Sequence, residues 1–251
     1  MQIDRIDGRS KDELRTLTIE RGCNRYAEGS ALIKWGNTHV LCTATVEEKV
    51  PSFIRGSGKG WLTAEYSMLP RSTHQRMQRD SSRGKINGRG SEIQRLIGRS
   101  LRAAIDMEKL GERTITIDCD VIQADAGTRT ASITAGFVAL YDAIRWLIKN
   151  EKLTENPITT QIAAVSIVKI NGQMVIDPCY EEDSSAEVDS NIIMTSGGNF
   201  VELQGTGEQG TFSLNELNEI AKLAWEATQK INKIQQKALC LTQEEIEAIK
   251  K

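Results

Sequence analysis

Along the first third of the chain, apolar positions alternate with polar ones, the period of strands that bury one face. Residues 31–35 and 38–46 flank Gly36-Asn37, a turn pair, and predict a hairpin. Residues 61–68 predict another short strand, ended by Pro70, with a flexible loop at 56–60 before it. The period then lengthens. Ile93, Leu96, Ile97, Leu101, Ala104 and Ile105 recur every three or four residues. That spacing predicts a helix over 91–110, stopped by Gly111, with Arg95, Arg99 and Arg102 on its other side. Residues 114–121 predict a strand, and Ile133, Phe137, Leu140, Ile144 and Leu147 a helix opening at Ala131.

The second half repeats this order loosely. Hairpins are expected for 162–170 with 173–177 around Asn171-Gly172, and for 191–195 with 199–206 around Gly197-Gly198. Ser213 with Glu216 makes a capping box for a long helix striped by Leu217, Ile220, Ala221, Ala224, Ile231 and Ile234. A short helix from Thr242 follows. Strand pairs followed by helices in both halves predict the α+β class. Two pseudo-repeated sheet and helix halves are expected within a single domain, residues 1–251, without a linker.

Composition narrows the setting. No apolar run reaches the roughly 18 residues of a membrane helix, and the polar N-terminus has no signal-peptide core, so neither membrane nor export is expected. Cys23, Cys42, Cys119, Cys179 and Cys240 are odd in number and lack C-x-x-C spacing. Buried free thiols in a reducing cytoplasm are expected, not disulfides or structural zinc. Net charge is −2, which excludes a generally basic nucleic-acid binder. Yet Arg71, Arg76, Arg79, Arg83, Lys85, Arg89, Arg95, Arg99 and Arg102 fall in one stretch opposed by only Asp80 and Glu92. A local basic band on an otherwise acidic chain suits a polyanion site; a solvated helix face with salt bridges between subunits is the other reading.

Gly127-Thr128-Arg129-Thr130 joins the 114–121 strand to the next helix. Free backbone N–H groups, the helix dipole, two hydroxyls and a guanidinium together suit a phosphate. An ordinary loop with Thr130 as N-cap and Arg129 in solvent fits the same residues. Asp177, Glu181, Glu182, Asp183, Glu187 and Asp189 crowd one strand–turn–strand region, which is either an acidic surface loop or, beside phosphate, a seat for magnesium. Phosphate-binding arginines plus an acidic pocket supply the parts for phosphoryl transfer. His39 and His74 are the only histidines, and His39 reads as a packed strand residue, which argues against a paired-histidine ribonuclease. P-loop, Rossmann and nucleophile-elbow motifs are all missing.

These strings resemble the ribonuclease PH family of phosphorolytic 3′→5′ exoribonucleases almost end to end. The likeness runs through Ala27-Glu28-Gly29-Ser30, Gly60-Trp61-Leu62-Thr63-Ala64-Glu65-Tyr66, Met68-Leu69-Pro70-Arg71-Ser72-Thr73-His74 and Glu92-Ile93-Gln94-Arg95-Leu96-Ile97-Gly98-Arg99. It continues in Gly127-Thr128-Arg129-Thr130-Ala131-Ser132, Asp183-Ser184 and Glu202-Leu203-Gln204-Gly205-Thr206. The resemblance implies a fold like the second domain of ribosomal protein S5, duplicated in one chain. It implies inorganic phosphate as co-substrate, bound by Arg89, Gly127, Thr128 and Arg129, and catalytic Asp183 and Asp189 that hold Mg2+. It further implies a hexamer, a trimer of dimers, with Arg71, Arg76 and Arg79 at the ring and RNA interface. The expected reaction trims the 3′ ends of tRNA precursors, and of other structured RNAs such as rRNA, releases nucleoside diphosphates, and runs backwards with excess diphosphate. A non-catalytic RNA-binding ring subunit and a metal-dependent hydrolytic nuclease are the competing readings. Ala126, Gly90, Ser91, Pro178 and Tyr180 depart from the family's usual pattern and bear on rate and fine substrate choice.

Overall fold

The computed structural model describes residues 5–79, 82 and 88–250; Asp80, Arg83 and Lys85 of the basic band lie outside them. Two sheets form. In the first, β1 (Leu17–Arg21), β2 (Gly29–Trp35), β3 (Thr38–Glu47), β4 (Trp61–Met68) and β5 (Thr114–Gln123) take the order β1-β2-β3-β5-β4. The β4–β5 pair is parallel and the others antiparallel. The connection between β4 and β5 carries α1 (Gly88–Arg102) and the single turn α2 (Met107–Leu110). The second sheet, β6 (Ile162–Ile170), β7 (Gln173–Ile176), β8 (Val188–Thr195) and β9 (Phe200–Gly207), has the order β7-β6-β8-β9 and is antiparallel throughout.

All three expected hairpins form, with Trp35 facing Thr38 and Ile170 facing Gln173 across their turns. The helix expected over 91–110 does not run through. It starts at Gly88, ends at Arg102, and resumes only at Met107. The gap is held from outside: Ile105 bridges Ile158, Thr159 N donates to Ala104 O, and Asp106 N donates to Pro157 O. Asp106 then caps α2 by accepting from the backbone N–H of Glu108 and Lys109. Backbone partners elsewhere in the chain thus replace the helical ones.

The long central helix α3 (Thr128–Lys149) begins three residues before the expected Ala131. By length and composition alone it could cross a membrane, but most of its apolar window is buried inside the protein. It packs on β2, β3 and β5 of the first sheet, on β6 of the second and on α1. One apolar cluster therefore runs from Ile33, Val40 and Ile117 through Phe137 and Leu140 to Ile162 and Ile192. Helix and strand approach unusually closely at Gly29, where a Cβ would lie 2.0 Å from the Ala139 carbonyl oxygen. A short helix α4 (Tyr180–Ser184) links β7 to β8; α5 (Leu214–Leu239) covers β6, β8 and β1, and α6 (Gln243–Ala248) closes the described chain. Ser213 and Thr242 both form capping boxes, with Glu216 and Glu245. Cys42, Cys119 and Cys179 are buried free thiols, whereas Cys23 and Cys240 are exposed, against the expectation for those two.

Candidate active site

The residues between β5 and α3 are the centre of the site. Ala126 (φ 55°) and Gly127 (φ 64°) are both left-handed, and Gly127 is the N-cap of α3. A Cβ on Gly127 would come within 3.2 Å of Thr130 Oγ1 and 3.3 Å of Arg15 Nη2, a tight fit on a left-handed backbone that favours glycine. The alternative with Thr130 as N-cap is overturned: Thr130 lies inside the helix and its hydroxyl donates to Gly127 O at 2.9 Å. The N-terminus of a 22-residue helix therefore opens directly behind Gly127, where its unpaired N–H groups and dipole favour an anion.

This turn lines a cavity of about 900 Å³ between the two halves, together with Tyr66, Arg79, Arg89, Thr128, Arg129, Tyr180, Asp183 and Asp189. Arg89 comes from the first turn of α1. Arg129 is largely covered; its Nη1 donates to Gln204 Oε1 at 3.1 Å and lies 3.8 Å from Glu92 Oε2. Tyr66 hydrogen-bonds Thr128 through the two hydroxyls at 2.8 Å, and burial raises its phenol's pKa. Arg71 and Arg76 are exposed and are not among the cavity's lining residues, whereas Arg79 is one of them. The three arginines are thus not brought together at the turn.

The acidic stretch divides. Asp177 accepts from Arg15 and from Trp35 Nε1, and Glu182 forms a two-pronged pair with Arg5 at 2.9 and 2.7 Å. Glu187 Oε1 accepts from Gly172 N, and its Oε2 lies 3.7 Å from Lys169 Nζ. Of the six acids, only Asp183, on α4, and Asp189, on β8, line the cavity. Burial and then the negative charge of Asp189 push the Asp183 carboxyl up to about 6, against the pull of Arg89, Arg129 and Arg15. Asp189 is raised as well, chiefly by burial. Asn191 Nδ2 stands 3.5 Å from both Asp189 oxygens, and Ser166 Oγ donates to Asn191 Oδ1 at 2.9 Å.

Among the described residues no group of three or more His, Cys, Asp or Glu side chains is arranged for a metal. The donor set is two half-buried carboxylates whose ionisation burial opposes. That set fits magnesium, which takes one or two carboxylates and completes its shell with water and substrate phosphate. Pattern reading missed Tyr66, Arg15, Thr38 and Gln204. Each is an ordinary strand or loop residue in the sequence, made relevant only by where the sheets bring it.

The chain is similar to known proteins along most of its length. Residues 13–145 match the model of the 3′ exoribonuclease family, domain 1, and residues 160–227 that of domain 2. The chain is 59% identical over 228 residues to a ribonuclease PH of Bacillus subtilis, covering 90% of this chain and 93% of that protein. It is 61% identical over 222 residues to a ribonuclease PH of Bacillus pumilus, covering 88% and 91%. Among solved structures, the Archaeoglobus fulgidus exosome with RNA bound to the active site superposes with TM-score 0.78 at 22% identity, covering 91% of each chain. Rice Rrp46 superposes with TM-score 0.76 at 17% identity, covering 94% of this chain and all of that one. These two likenesses concern the fold.

Proposed function

The chain belongs to the 3′ exoribonuclease family, and from that premise we propose how its cavity serves the phosphorolytic trimming of RNA. It is a phosphate-dependent 3′→5′ exoribonuclease acting on tRNA precursors, and a nucleotidyltransferase in the sense that the terminal nucleotide passes to inorganic phosphate. The observation that carries our reading is that the α3 N-terminus, Arg89 and Arg129 share one cavity with Asp183 and Asp189.

Phosphate sits on Gly127, Thr128 and the two guanidiniums. One of its oxygens attacks the terminal phosphorus in line, the bond to the ribose 3′-oxygen breaks, and a nucleoside diphosphate departs. Charge spreads over the equatorial oxygens during this exchange, where preorganised donors stabilise it most. The leaving 3′-oxygen takes a proton from water, in the cavity that Asp183 and Asp189 line. Asp183 and Asp189 would hold Mg2+, which supplies charge neutralisation on the phosphates. Retention of all four residues in one cavity favours an enzyme over a non-catalytic ring subunit. A hydrolytic nuclease would leave the anion site without a role.

We further propose that residues 1–251 act as one domain, that the protein is cytoplasmic and works as a hexamer built from three dimers, and that Arg71, Arg76 and Arg79 serve the ring and its RNA. Other structured RNAs such as rRNA belong to the proposed substrates. The deciding experiment digests a 3′-extended RNA with and without inorganic phosphate and resolves the products. Shortening only with phosphate, to nucleoside diphosphates, is expected; monophosphates released at full rate without phosphate would refute the reading.

A further inference from the structure

The phosphate turn is held in place by two residues that touch none of the acids it works with. Thr38 opens β3 and is completely buried. Its hydroxyl accepts from Asp125 N at 3.0 Å and donates to Ala126 O at 2.6 Å. Arg15, only 6% exposed, donates through Nη1 to the carbonyl of Asp125. Its Nη2 meanwhile grips Asp177 Oδ1 at 2.6 Å, and its backbone N–H donates to Asp177 Oδ2 at 2.6 Å. Asp177 is itself fixed by Trp35 Nε1 at 2.8 Å. From the other side, Asp125 Oδ1 accepts from Tyr180 N at 2.8 Å, at the start of the helix that bears Asp183.

A trans peptide points its N–H opposite to its C=O. The Asp125 carbonyl is turned onto Arg15, so the N–H of Ala126 faces away from it. The Ala126 carbonyl is turned onto Thr38, so the N–H of Gly127 faces away from that hydroxyl. Both residues line the cavity. Ala126 is also left-handed without being glycine, a conformation that has to be imposed by its surroundings. We infer that Thr38 and Arg15 are positioning residues that fix two peptide planes of the 125–127 turn, and so aim backbone donors at the incoming inorganic phosphate. This rests on the phosphorolytic reading of the cavity.

Thr38→Val keeps the shape and removes both hydrogen bonds, while Thr38→Ser keeps the hydroxyl. Steady-state rates are measured with phosphate varied at saturating RNA, and with RNA varied at saturating phosphate. Thr38→Val is expected to raise KM for phosphate about ten- to a hundredfold while KM for RNA stays within about twofold, the loss typical of a small misplacement at a preorganised site. Thr38→Ser should restore the wild-type values. A second readout needs no turnover: inorganic phosphate should raise the melting temperature of wild type and Thr38→Ser but hardly that of Thr38→Val. If Thr38→Val does not fold, Arg15→Lys decides by the same two readouts, because a lysine keeps the charge facing Asp177 but cannot bridge to the Asp125 carbonyl as well. A folded variant with unchanged phosphate KM and unchanged phosphate-induced stabilisation overturns the inference, as does an equal loss in both KM values. If wild type itself trims RNA without phosphate, the phosphorolytic reading fails, and the melting shift still reports whether these residues build an anion site.

Discussion

Asp183 is held between opposing forces: burial and Asp189 favour its neutral form, Arg89, Arg129 and Arg15 its charged one. Because its pKa rises from an ordinary 3.8 to about 6, the folded protein binds this proton more tightly than the unfolded chain. Its contribution to stability is therefore full below about pH 4 and is lost as pH rises through 6. Asp183→Asn should accordingly remove the stability that wild type is expected to lose at this site between about pH 4 and 7 without magnesium, read as a smaller loss of melting temperature over that range than in wild type, while abolishing phosphorolysis. A variant whose melting profile keeps the wild-type slope would show that Asp183 is not the titrating group. Asp189→Asn should likewise abolish activity, and either aspartate variant that stays fully active at low magnesium would return the pair to structural carboxylates. Arg129→Ala or Arg89→Ala should lower kcat roughly a hundred- to a thousandfold with the fold intact, the usual loss for one preorganised donor; normal single-turnover rates would reject the assignment. Of these four side chains, Arg129 stands out in the sequence by its place in the turn before α3, whereas Arg89, Asp183 and Asp189 are singled out only through resemblance. Charge pattern alone put Asp177 and Glu182 in the same acidic cluster as Asp183, because nothing local reveals that Arg15 and Arg5 from the N-terminal segment neutralise them.

At the scale of elements, local rules succeeded wherever the determinants are local. The hairpins of β2 with β3, β6 with β7 and β8 with β9 follow from alternation and turn pairs, and α5 and α6 start at their capping boxes. They failed where distant partners decide. Strand β1 exists by pairing with β2, and the break after Arg102 exists because 157–159 supply backbone partners to 104–106. The start of α3 lies ahead of its expected place because Gly127 caps through its backbone conformation, with no capping side chain to betray it. The contact of β2 with α3 is testable on its own. Gly29→Ala would drive a methyl group into the Ala139 carbonyl. Overpacking of this kind costs about 1–3 kcal/mol, and each kcal/mol lowers the melting temperature of a chain this long by about 2–4 °C. Calorimetry showing an unchanged melting temperature would mean that β2 and α3 move apart at no cost.

For the whole molecule, the shared apolar cluster across both sheets makes a single calorimetric unfolding transition the expected behaviour of one domain; two separated transitions would divide it. Assembly is tested at the basic segment. Arg71 and Arg76 are exposed on a stretch without an apolar stripe of its own, so a neighbouring acidic surface is their natural partner. If the proposed hexamer forms, Arg71→Ala combined with Arg76→Ala should reduce it to dimers, and should weaken binding of structured tRNA precursor more than phosphorolysis of short RNA. Light scattering that still reports an intact hexamer would leave these arginines as plain RNA contacts. The burial of α3 between the two sheets also has a consequence for the chain as it is made. The helix ends at Lys149, but β9, the last strand of the second sheet, ends about sixty residues later, at Gly207. At translation speeds of about 5–20 residues per second, the ribosome therefore holds a nascent first half for roughly 3–12 s with a long apolar helix lacking its second wall, an interval in which chaperone capture and aggregation compete with synthesis.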